Sequence, residues 1–192
     1  MKAQLFLTVI ILLFCDSALA GESASMNCIE SHVETTESGQ ITVCDKYELR
    51  VQVDADNDVG LPGEIIIGAA SFDGNHTPYW TVDNGWKGFD GGVLIPADGY
   101  HPSLPQSSEY VVYTGTMEGL CALSQGQTFS LYAGHGILPP DKEKEVQFYE
   151  SRESTKDMAD QLRKAAIDQD IRINGKYSQI FTHECSTASN GN

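Results

Sequence analysis

Polar and apolar positions alternate in several short stretches of this chain. Tyr47, Leu49, Val51 and Val53 are separated by Glu48, Arg50 and Gln52, the period of a half-buried strand. Glu64–Phe72 (EIIIGAASF) is a continuous apolar run, closed by the turn pair Asp73-Gly74. Pro78–Val82 reads as its returning strand, and Asp83-Asn84-Gly85 as a further turn. Glu109–Met117 and Gln127–Ala133 are two more strands. In the second, Phe129, Leu131 and Ala133 face one way, with Ser130 and Tyr132 between them. Residues 96–108 hold Pro96, Pro102 and Pro105 and read as a crossing loop.

The period changes once. Met158, Leu162, Ala165 and Ala166 recur on one helical face, Ser154 and Asp157 form a capping pattern before them, and Gly175 closes the segment. Along the last strand Tyr177, Gln179 and Phe181 point one way. Short strands with glycine-rich turns and one late helix predict a mainly β protein. The expected fold is an antiparallel β-sandwich or a small, partly closed barrel with one C-terminal helix.

Four regions follow. Lys2, the apolar run Leu5–Phe14 and the small-x-small triplet Ala18-Leu19-Ala20 make residues 1–20 a Sec-type signal peptide cleaved before Gly21. Residues 21–40 form a polar N-terminal arm, residues 41–185 the β-sandwich-like domain and residues 186–192 a disordered tail. The leader predicts a secreted or periplasmic protein with no membrane insertion after its removal.

Outside that leader lie Cys28, Cys44, Cys121 and Cys185, an even set in an oxidising compartment. Four cysteines allow three connectivities, and the one expected here pairs Cys28 with Cys44, closing a local loop, and Cys121 with Cys185, tying the tail to the middle of the chain. The formal net charge of −15 argues against nucleic acid and anionic membrane surfaces as partners.

Candidate chemistry is sparse. Asp54, Asp56 and Asp58 share the D-x-D-x-D spacing that opens a calcium loop, but Val59 and Ile65 stand where that loop needs Gly and a bidentate Glu. Calcium is the only cofactor the sequence raises. There is no G-x-S-x-G, no H-E-x-x-H and no C-x-x-C, so no catalytic residue is assigned. His135, within Gly134-His135-Gly136, reads as a polar turn residue after a strand, and Asn75-His76-Thr77 is an N-x-T sequon. Tyr79, Trp86, Phe89 and Tyr100 supply rigid rings on turn-rich backbone and are the expected binding residues, with Trp80 assigned to the core.

The order of several segments also carries a resemblance. These are Asp58-Val-Gly-Leu-Pro-Gly63 before a strand, Asn84-Gly-Trp-Lys-Gly-Phe-Asp-Gly-Gly92, Leu131-Tyr-Ala-Gly-His-Gly136, and a helix ending in Gly175-Lys-Tyr177. Together they resemble a small, poorly characterised β-rich domain of secreted and surface proteins of proteobacteria, often pilus-associated. That resemblance implies a non-enzymatic exported module, and the leader, the cysteines, the sandwich pattern and the lack of a catalytic motif add the expectation of a binding module contacting protein or glycan at the periplasm or cell surface. A structural subunit or assembly factor of a pilus-like structure and a small secreted carboxylate-based hydrolase are the alternatives.

Overall fold

Leu49, Val51 and Val53 do alternate into a core, on a strand longer than the periodicity marks. The computed structural model describes residues 21–71, 78–89 and 91–185. The expected leader 1–20, the turn pair Asp73-Gly74, the sequon at 75–77 and the expected tail 186–192 lie outside the described residues. β1 (Glu22–Thr36) and β2 (Gly39–Asp54) form one antiparallel hairpin, and β7 (Ser107–Gly115) pairs with the other edge of β2. The expected polar arm is therefore a strand. Its Ser, Thr and Glu side chains give no strong apolar period, but pairing with β2 satisfies its backbone, and Ala24 and Met26 pack against the core. The β2–β7 pairing stops at Tyr47↔Gly115. Beyond it the hairpin runs on as a two-stranded ribbon stapled by Cys28–Cys44.

The second sheet contains β3 (Gly63–Ser71), β4 (Tyr79–Thr81), β5 (Gly85–Lys87), β6 (Pro96–His101), β8 (Phe129–Ile137) and β9 (Tyr177–His183), in the order β5-β4-β3-β8-β9 with β6 also on β3. Pro96–His101 is thus a strand where a crossing loop was expected. Pro96 opens it, the position at which a missing N–H disturbs a ladder least. The two antiparallel sheets pack face to face and are not closed into a barrel. Between them lie Leu49, Val51 and Val53 from one sheet, and Ile65, Ile67, Phe129 and Leu131 from the other.

The C-terminal helix is α3 (Lys156–Asn174), preceded by two shorter helices, α1 (Met117–Leu123) and α2 (Pro140–Glu150). α2 and α3 cover the outer face of the second sheet, packing Val146, Ala159, Ala166, Ile167 and Ile171 around Ile66. The inward face of α3 begins one residue later than the sequence reading has it. Met158 is 48% exposed, whereas Ala159 and Ile167 are fully buried. Small side chains set that rotation. Ala159 and Ala166 let the helix approach, and a Cβ on Gly136 would stand 2.5 Å from Ile171 Cγ1. Ser154 lies in a 3-10 turn and does not cap α3. Thr155 occupies the N-cap without a side-chain bond, and Gly175 ends the helix in the left-handed conformation at φ 64°.

Both expected disulfides are present, Cys28–Cys44 and Cys121–Cys185. The second joins α1 to the second residue beyond β9 and closes a separation of 64 residues against 16 for the first. Loop-closure entropy makes the longer tie worth about 4 kcal/mol and the shorter about 3 kcal/mol. A Cys121→Ala, Cys185→Ala double variant is expected to lose amide protection in α1 and β9 well before β2, β3 and β7. Hydrogen exchange read by mass spectrometry checks this, and uniform loss across both sheets would contradict it.

Candidate functional site

The four expected binding rings do not meet in one place. Tyr79 and Trp80 are adjacent on β4 and so face opposite sides of the sheet. Trp80 opposes Trp86 across β4 and β5, and both face the inter-sheet core. Trp86 packs edge-on against Phe129 at 6.0 Å, and its indole N–H donates to the Val112 carbonyl at 2.8 Å. It closes one end of the core. Tyr100 sits on the helix side of the sheet with the Arg163 guanidinium 4.5 Å above its ring.

Tyr79 and Phe89 do come together, edge to face at 6.4 Å, on the outer face of the second sheet. There they join Tyr132 and Tyr177, whose rings stack at 5.6 Å and 19°. With Gly68, Ala70, Leu94, Ile95 and Arg172 they line a cleft of about 280 Å³. The cleft exists because of what β3 presents. Ile65, Ile67 and Ala69 face the core, which puts Glu64, Ile66, Gly68 and Ala70 on the outer side. The helix-side core covers Ile66. Further along, the outer positions carry almost no side chain and leave a trough. At Gly68 a Cβ would stand 2.5 Å from the Tyr177 hydroxyl, so that position cannot take one without moving the ring.

The far wall is Phe89 together with residues 91–95, where Gly91 and Gly92 stand at φ 95° and 97°. α3 clips it in place. The Leu94 N–H donates to Asp168 Oδ1 at 3.1 Å, and Arg172 bonds Asp168 at 2.8 Å while reaching the Gly92 carbonyl at 3.4 Å. Sequence reasoning missed Tyr132, Tyr177, Leu94 and Arg172. The available signal was Gly68 inside an isoleucine-rich strand, which marks a close approach. Tyr177 also breaks the expected common face of the last strand. A register shift between Leu131 and Tyr132 turns Phe181 into the core and leaves Tyr177 on the helix side.

A second polar centre lies where β1, the turn after β2, β8 and α3 converge. His135 is part of β8 and 7% exposed, not a residue of a polar turn. β8 continues to Ile137 because Gly134 and Gly136 pair with Ile66 and Glu64 of β3. His135 Nε2 lies 3.1 Å from Asp58 Oδ2, and its Nδ1 lies 3.6 Å from Glu22 Oε1. Lys176 Nζ bridges Asp58 at 2.6 Å and Asp170 at 2.9 Å, and Asp170 also accepts the Ile137 N–H. Burial opposes ionisation of Asp58, but Lys176 and His135 outweigh it and hold the carboxyl below its usual range.

The three carboxylates of the calcium reading each have a partner within the protein. Asp58 is engaged by Lys176 and His135, Asp54 accepts from the Gln52 amide, and Asp56 accepts from the Gly21 N–H at 3.3 Å. Among the described residues, the one set of three ligand-bearing side chains with donor atoms within 4.8 Å of one another is Cys121, His183 and Cys185. It adjoins a hollow of about 340 Å³ beside α1, but both sulfurs are spent in the disulfide.

No family model, curated protein or solved structure matches the chain. The two disulfides point to an oxidising, extracytoplasmic environment. Among the described residues no helix is long and apolar enough to cross a membrane.

Two buried groups set the pH response. Burial drives the Glu64 carboxyl up to about 7 from 4.5, and Lys164 and Arg163 do not offset it. Burial alone would lower His135, but the Glu22 and Asp58 carboxylates outweigh it and raise the imidazole above 6.5. Both folded-state values exceed the unfolded ones, so both contributions are present at low pH and are lost as pH rises. Stability is expected to fall by about 3 kcal/mol between the two Glu64 values, and further above 6.5 through His135. Urea titrations across this range check it. Glu64→Gln should flatten the lower part of the profile, and a stability that rises with pH there would be the opposite result. For Trp86, truncation to Ala is expected to cost about 3 kcal/mol or more of folding stability, read from the same titrations, because it removes a core cap.

Proposed function

We propose that the protein is a non-enzymatic exported binding module of the bacterial periplasm or cell surface, which holds an apolar group of a protein or glycan partner in the cleft on its second sheet. The observation that carries this reading is the cleft itself, with four aromatic rings around a floor of Gly68 and Ala70 and a wall pinned by α3. Rings of few rotatable bonds, already packed on one another, lose little entropy when a ligand arrives. The leader at 1–20 and the two disulfides support export. The order of segments that resembles the pilus-associated surface domain supports placement at the cell envelope.

Support for a role without catalysis comes from the histidine best placed for chemistry. His135 is enclosed by Asp58 and Glu22 with its side chain 8% exposed, where no substrate reaches it. A second reading, a subunit or assembly factor of a pilus-like structure, is favoured by β1. It is an edge strand of 15 residues whose outer half carries exposed Ile29 and Val33, the kind of edge that accepts another strand.

The cleft reading is tested with N-acetyl-tryptophanamide and methyl β-glucoside, standing in for a protein side chain and a glycan. In NMR titrations at least one should shift the ring signals of Tyr79, Phe89 and Tyr177, and Phe89→Ala should weaken that binding by about tenfold. Titrations that leave these rings unmoved, together with dimers or longer assemblies by analytical ultracentrifugation, would favour the edge-strand reading.

A further inference from the structure

The shape of the cleft goes beyond a generic apolar site. Its floor is backbone and small side chains at Gly68 and Ala70, and its sides are the rings of Tyr79, Phe89, Tyr132 and Tyr177. A trough lined by four aromatic rings favours a flat ring, which can stack on them or pack edge-on against them. A polar atom stands over that floor. The Tyr177 hydroxyl lies 2.5 Å from where a Gly68 Cβ would be, and it has no hydrogen-bond partner among the described residues. The neighbouring Tyr132 hydroxyl differs, since it is spent on Gln179 Oε1 at 3.1 Å. Burial, reinforced by Tyr132, pushes the Tyr177 phenol above its ordinary value, so the group keeps its proton and donates. The hydroxyl is unpartnered among the described residues but not sealed from solvent, so a ligand acceptor can replace water on it.

We propose that the cleft selects a flat ring bearing a hydrogen-bond acceptor, with the ring held among Tyr79, Phe89 and Tyr177 and the acceptor taking the Tyr177 hydroxyl proton in a hydrogen bond. This rests on the cleft being the binding site. It names the class of group recognised, as part of a larger partner or as a free small molecule. Arg172 does not make the cleft an anion site, because Asp168 already neutralises its guanidinium.

Three probes separate the parts of this proposal. Acetophenone and α-methylstyrene are planar isosteres that differ by a carbonyl oxygen against a methylene. Cyclohexyl methyl ketone keeps the oxygen and loses the flat ring. Affinities are read by NMR titration on the mature protein and on Tyr177→Phe, which retains the ring stack with Tyr132. The ratio of acetophenone to α-methylstyrene affinity should fall about tenfold in Tyr177→Phe, the value of one hydrogen bond. Acetophenone should also bind more tightly than cyclohexyl methyl ketone in the unaltered protein. An unchanged ratio overturns the acceptor claim while α-methylstyrene binding still upholds the cleft. Equal affinity for the two ketones overturns the flat-ring claim. Failure of all three probes to move the Tyr79, Phe89 and Tyr177 signals overturns the cleft reading and this inference with it.

Discussion

Burial of β3 on both faces is the constraint from which the rest of the architecture follows. Ile65 and Ile67 point into the inter-sheet core while Ile66 and Glu64 point the other way, and all four are 2% exposed or less. A strand with apolar side chains on both faces needs a cover on each. The β1-β2-β7 sheet supplies one, and α2 and α3 supply the other. The second cover is incomplete. Ile66 lies under it, and the strand continues to Gly68 and Ala70 with a trough above them. The same cover traps Glu64 without a nearby cation sufficient to hold it ionised at neutral pH. The cleft thus lies along β3 beyond the helical layer, and the buried carboxyl lies beneath that layer.

A chain of formal charge −15 has few cations to spend, and several of them stand where the helical layer meets the sheets. Lys176 binds Asp58 and Asp170, Arg172 binds Asp168, and Arg163 lies over Tyr100 while pairing with Glu150 and Asp160. Each links α3 or the residue just beyond it to a different part of the fold. The ion pairs around Lys176 and Asp58 are partly buried, so removing one partner leaves a charge uncompensated. The Arg172–Asp168 pair is more exposed and worth less in stability. Its role is positional, since Asp168 also accepts the Leu94 N–H and so fixes the wall of the cleft.

The parts of this fold legible in the sequence are those whose burial follows a simple period. β2, β3 and β7 stand out because Leu49-Val51-Val53, Glu64–Phe72 and Glu109–Met117 alternate or run apolar, and the even cysteine count implies two disulfides whose pairing the fold decides. β1 is hidden because its outer half is held by backbone pairing with exposed side chains on both faces. α2 is hidden because Val146 is its one buried residue in a run of charges, and β6 because Pro96 opens it, Pro102 follows it and only three of its residues pair with β3. In the site, Tyr79 and Phe89 were identified but grouped with Trp86 and Tyr100. Separating them requires the alternation of β4 and its pairing with β5, which a three-residue strand does not reveal. Tyr132 and Tyr177 are far apart in the chain, and β8–β9 pairing alone brings them together.

The account therefore rests on a cleft whose wall is held by α3 and whose rings are already assembled without a ligand. A NOESY spectrum of the ligand-free protein tests this most directly. The account predicts ring–ring contacts between Tyr79 and Phe89 and between Tyr132 and Tyr177, together with contacts from the Leu94 methyls to the cleft rings. Random-coil shifts for Phe89 and Leu94, with none of these contacts, would contradict it.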